Sequence, residues 1–131
     1  MKISIKIKYL SIIIIISLLC ICTTNAAYQG EWNGFKIPPG YKPVPAMESN
    51  TLPQDQVGAF STPDTQYHLD IWNYTDDIYN TFIKEPEPNE IIKVIEIKEN
   101  KYMVIISGGN SNQQQADLDD FVKENNGKII K

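Results

Sequence analysis

"QYHLDIWNYT", residues 66–75, contains the single histidine of the chain. On a strand, His68 and Asp70 stand two residues apart on one face, the spacing at which a carboxylate can orient an imidazole for proton transfer. Such a base needs a group to activate. Both cysteines, Cys20 and Cys22, lie in the first 26 residues, and no G-x-S-x-G run exists to present a serine. His68 is therefore expected to face solvent without a catalytic role. Asp117, Asp119, Asp120 and Glu124 form a second cluster, and oxygen ligands suit calcium. A regular helix supplies neither the backbone carbonyls nor the tight glycine turn of a calcium loop, so the expectation is a solvated acidic face near a helix start. "SGGNSN" (107–112) resembles a phosphate loop before a helix, but lacks the P-loop lysine and the G-x-G-x-x-G spacing. It reads as turn chemistry. No catalytic residue, metal ligand or cofactor site is assigned.

What remains is recognition. Alternation along the strand puts Tyr67, Leu69 and Ile71 on one face and His68, Asp70, Trp72 and Tyr74 on the other. The first set is richer in aliphatic residues and is assigned to the core. Trp72, Tyr74 and His68 then form a candidate binding patch, because neighbouring aromatics offer large contact area at small entropic cost. A covering segment, either the proline-rich stretch around Pro43 and Pro45 or residues 76–85, would close it. Asn73-Tyr74-Thr75 is the one N-x-S/T sequon, which makes Asn73 a candidate glycosylation site.

The elements that must position these residues are legible in outline. "EWNGFKI" (31–37) reads as a first strand, ended by Pro38-Pro39 and a turn at Gly40. "YKPVPAMESNTLPQD" is expected to run extended along an edge, since proline cannot donate to a central ladder. "QVGAFST" (56–62) is a second strand, and "DDIYNTFIKE" (76–85) fits either a short helix or a strand. After the "EPEPNE" linker, "IIKVIEIK" and "KYMVIIS" flank Glu99-Asn100 as a β-hairpin, with Asn100 taking the left-handed turn position. That turn would set Ile97 opposite Tyr102, Ile95 opposite Val104 and Val94 opposite Ile105. Glu96, Lys98 and Lys101 leave the second face only partly covered.

A helix follows, with Ser111 and Gln114 as a capping box, an apolar stripe of Ala116, Leu118, Phe121 and Val122, and Asn126-Gly127 as its C-cap. "KIIK" either adds a short strand or packs back. The fold class is α+β: a mostly antiparallel twisted sheet with a late hairpin and one C-terminal amphipathic helix on one face.

Lys2, Lys6 and Lys8, the apolar run Leu10–Cys22 and the small residues of "TTNAA" read as an export signal, with cleavage expected after Ala26. At about 13 residues the run is short of the roughly 20 needed to span a bilayer, so an uncleaved anchor is the lesser alternative. Residues 27–131 then form one small domain without cysteine, long enough to bury a core without staples. Three of the twelve lysines fall in the signal, so nine face sixteen acidic residues, and with no arginine the net charge is about −7. That balance argues against nucleic acid and anionic membranes. The signal is the one expected link to a membrane.

The signal, "NGFKIPPGY", the "YHLDIW" strand, the isoleucine-rich hairpin and the terminal helix together resemble short exported proteins of methanogenic archaea. These are similar in outline to the PsbP/Mog1-like α+β fold. The resemblance implies a helical segment between early and late strands, where "DDIYNTFIKEPEP" stands, and it brings no catalytic residues. The expected function is thus a secreted or envelope-located, non-enzymatic binding or structural domain, partnered by an envelope or extracellular protein or a glycan. A small-ligand carrier is the alternative. A carboxylate-based hydrolase is the third reading, for which a single sheet of this size offers little room.

Overall fold

The computed structural model describes residues 30–131, and the expected export signal and its cleavage point lie outside the described residues. A first hairpin joins β1 (Gly30–Trp32) to β2 (Phe35–Ile37). The chain then forms β3 (Lys42–Pro43), α1 (Pro45–Glu48), β4 (Gln56–Ser61) and β5 (His68–Asn73). Helix α2 (Asp76–Lys84) follows, then β6 (Glu90–Ile97) and β7 (Asn100–Ser107). Helix α3 (Ser111–Glu124) and β8 (Lys128–Ile129) complete it. Six strands make one antiparallel sheet in the order β3-β4-β5-β7-β6-β8, and β1-β2 is a separate two-stranded sheet.

The α+β class and the mostly antiparallel sheet agree with the sequence reading. Among the described residues, three helices and two sheets replace the expected single helix and single sheet. "EWNGFKI" is a hairpin and not a strand. Asn33 and Gly34 both take positive φ, the two-residue turn whose twist matches the strands it joins. The proline segment keeps to an edge as β3, but it does not stay extended: Pro45 starts α1, where its missing N–H costs nothing.

In the late hairpin the turn residues are Lys98 and Glu99, both at positive φ, and Asn100 is already strand. Ile95 therefore faces Tyr102, Ile97 faces Asn100 and Val94 faces Met103. The slip of two from the expected register leaves every side chain on its assigned face, because the period of a strand is two. Residues 76–85 resolve as helix, since the Thr75 hydroxyl accepts from the Ile78 N–H and caps α2.

One sheet face carries the main core. Ile37, Leu69, Ile71, Ile95, Val104, Ile106, Leu118 and Phe121 are fully buried there, with Phe35, Tyr41 and Phe60 beside them and Tyr67 packed against the cluster. Helix α3 lies across this face and β1-β2 folds over its end. Asn125 fastens the two. Its Oδ1 accepts from the Lys36 N–H at 2.8 Å, and its Nδ2 donates to the Lys36 carbonyl at 2.9 Å. Asn126 at φ 53° then turns the chain, and the Gly127 N–H donates to the Val122 carbonyl, closing α3 as a Schellman cap.

The N-cap of α3 is Asn110, one residue before the expected Ser111; its Oδ1 accepts from the Gln113 N–H. Gln114 does not reach back to the cap. Its buried Nε2 donates to the carbonyls of Asn89 and Gly108. On the second face Val94, Met103 and Ile105 are buried, and the tail pairs with β6 through Ile95↔Ile129.

Candidate functional site

Three places hold the residues singled out by the sequence, and a fourth emerges from the fold. On the second face His68 is exposed, while Trp72 and Tyr74 are half-buried against α2. Trp72 lies 5.5 Å from Phe82 between ring centroids, and Tyr74 lies 6.0 Å from Tyr79, with the Lys131 ammonium over both tyrosine rings. The Tyr74 hydroxyl donates to Asp76. The three patch residues are thus divided: α2 roofs the aromatics and leaves the imidazole open.

Asp70 stands beside them, accepting from Gln56 Nε2 at 3.0 Å. Burial pushes its carboxyl up to about 6 against the opposing effects of His68 and the Gln56 bond, with a smaller upward push from the Glu90 charge. Such a carboxyl holds its proton more tightly in the folded chain than in the unfolded one. Stability should therefore fall as pH rises from about 4 to about 6 and stay level above that. Asp70→Asn should remove this slope and add roughly 1–3 kcal/mol at neutral pH. Urea midpoints measured between pH 4 and 7 check it; an unchanged slope in the variant would contradict it.

The acidic helix cluster is not wholly solvated. Asp117 is buried, accepting from the Tyr41 hydroxyl and from Gln113 Nε2, each at 2.8 Å. Its role is to tie the segment after β2 to α3. Burial first, then Asp117, hold the Tyr41 hydroxyl far above the usual phenol range. Among the described residues no three His, Cys, Asp or Glu side chains come together to hold a metal ion. "SGGNSN" is likewise a junction: Asn89 Nδ2 donates to the Gly109 carbonyl, and Gln114 holds the Gly108 carbonyl.

The fourth place is a cleft of about 400 Å³ where β1-β2 and α1 meet one end of the sheet. Its apolar lining is Phe35, Met47, Leu52, Val57 and Tyr102, with Phe35 and Tyr102 edge-to-face at 5.0 Å. Three asparagines add polar groups. Asn33 comes from the β1-β2 turn, its Nδ2 donating to the Val57 carbonyl at 3.3 Å. Asn50 follows α1 at φ 60°, and Asn73 ends β5, its N–H bonded to the Asp55 carbonyl. Gln56 is the remaining wall, its amide nitrogen committed to Asp70 and to the Gly58 carbonyl.

Among the described residues, no carboxylate, amine or imidazole lines this cleft. Its volume is within the range of small-ligand sites, and its wall is shared between apolar side chains and side-chain amides. Asn73, the sequon residue, is exposed on its rim, while Thr75 caps α2. Sequence reasoning found Asn73 for another reason and missed Asn33, Asn50 and the apolar lining. The Asn33-Gly34 dipeptide is the one signal that would have placed a turn there.

Compared with protein-family models, with curated proteins and with solved structures, the chain gives no match.

Proposed function

We propose that this chain is an exported, non-enzymatic binding domain of the cell envelope or extracellular space, which engages an extracellular protein or glycan through the cleft beside β1-β2. The carrying observation is the lining of that cleft, where apolar side chains and side-chain amides of the described residues stand together. The export-type start and the acidic, arginine-free composition support the location. The outline of a PsbP/Mog1-like α+β domain belongs to this proposal.

A small-ligand carrier is the second reading, favoured by the same cleft volume. It differs in that the ligand would travel with the purified protein and leave on denaturation. For carboxylate hydrolysis, Asp70 stands on the opposite face, where the Gln56 amide holds it against the sheet.

Capture from the producing cell's envelope tests the proposal. The exported protein should retain an envelope component that an Asn73→Trp variant, with the cleft filled, does not retain. Asn73→Gln, which removes the sequon without filling the cleft, should retain more of it than Asn73→Trp, which separates loss of a glycan from blockage. Equal capture by all three would put the contact elsewhere.

A further inference from the structure

We infer that the cleft takes a stretch of uncharged polysaccharide, with one sugar ring stacked on Trp32 and the next held among Asn33, Asn50 and Asn73. This rests on the reading of the cleft as the binding site and adds the chemistry of what it binds.

Trp32 is 40% exposed, unusual for so large an apolar ring, and it lies in a smaller hollow of about 230 Å³ with Pro43 and Glu48. That hollow shares Asn33 and Met47 with the cleft, so the two depressions adjoin across these residues. A linear chain lying across Asn33 would reach both. A pyranose presents a face of C–H bonds and an edge of hydroxyls. The face matches an open indole, which gives broad rigid contact for little lost entropy. Each hydroxyl is both donor and acceptor, and so is each asparagine amide.

Charge and backbone weigh against two competitors. Among the described residues the cleft lining offers no cation to pair with a phosphate, sulfate or uronate, Glu48 borders the adjoining hollow, and the chain as a whole is acidic. An extended peptide added to β4 would need free backbone acceptors beside the cleft. The Val57 carbonyl is already bonded to Asn33 Nδ2, and the Ala59 carbonyl to the Val44 N–H. An uncharged, hydroxyl-rich ligand fits the indole and the amides.

The test titrates the protein recovered from exporting cells with four neutral hexasaccharides: β-1,4-glucan, β-1,4-linked N-acetylglucosamine, α-1,4-glucan and α-1,6-mannan. Isothermal titration calorimetry is the readout, with hexagalacturonate as the anionic comparison. At least one neutral oligomer should bind saturably, and hexagalacturonate should bind at least tenfold more weakly. Trp32→Ala should weaken the neutral oligomer at least tenfold with an unchanged melting temperature, and Trp32→Tyr should restore most of the binding. Failure of all four oligomers, or a Trp32→Ala variant that binds as well as the unaltered protein, overturns the inference. If all four fail while Asn73→Trp still abolishes envelope capture, the polysaccharide is wrong and the cleft stands. If capture also survives Asn73→Trp, both readings fall.

Discussion

Phe121→Ala should remove most of the stability of this domain. The ring is fully buried on α3, stacked 6.2 Å from Phe35 of β2, within the cluster that includes Ile95, Val104 and Ile106. It therefore joins three elements of the core: the hairpin β6-β7, the helix and the β1-β2 cover. Truncating a buried Phe costs about 3–5 kcal/mol, through lost transfer energy and the cavity left behind. Domains of this size hold roughly 5–10 kcal/mol in all. Urea denaturation is the check, and a midpoint within error of the unaltered protein would mean that α3 does not pack against the sheet there. Because Phe35 lines the cleft as well as touching Phe121, the variant should also lose ligand capture before it unfolds globally.

Gly108→Ala should be the most damaging substitution outside the core. The residue sits at φ +87°, where an L side chain is strained, and an added Cβ would lie 1.9 Å from the Gln66 carbonyl oxygen. That neighbour is backbone, at the turn into β5, and cannot rotate away. Moving it would disturb the Gly108 N–H bond to the Asn89 carbonyl and the Gln114 clamp on the same loop. A combined strain and displacement cost of roughly 2–4 kcal/mol is expected. Thermal and urea unfolding of Gly108→Ala measure it. A variant as stable as the parent would show that the loop is free to move, and would reopen "SGGNSN" as a ligand loop. The expected result makes these glycines a packing device where β7 meets α3.

What the sequence discloses depends on how local the determinant is. The parity of "YHLDIW" is a two-residue property, and Leu69 and Ile71 are fully buried as that parity requires. The stripe on α3 is likewise local, and Leu118 and Phe121 are buried. The hairpin register was less accessible, because "IKENKY" allows two turns one residue apart, whose registers differ by two and keep the same faces. Lys98-Glu99 is occupied, although neither residue is a common left-handed former. Asp117 reads as one of several exposed acids until Tyr41, 76 positions earlier, is brought against it. The cleft is the least legible feature. Asn33, Asn50, Asn73 and Tyr102 share no period and no motif. They meet only because β1-β2 folds back at Asn33-Gly34 and α1 starts at Pro45.

The position of the binding surface is the central claim, and backbone amide chemical shifts locate it most directly. Isotope-labelled protein should be titrated with the fraction of envelope extract that it captures. The amides of Asn33, Asn50, Val57, Asn73 and Tyr102 should move saturably and together, while His68, Asp70 and the α2 residues around Phe82 stay still. Shifts confined to His68, Trp72 and α2, with the cleft amides unmoved, would contradict the account and place recognition on the opposite face of the sheet.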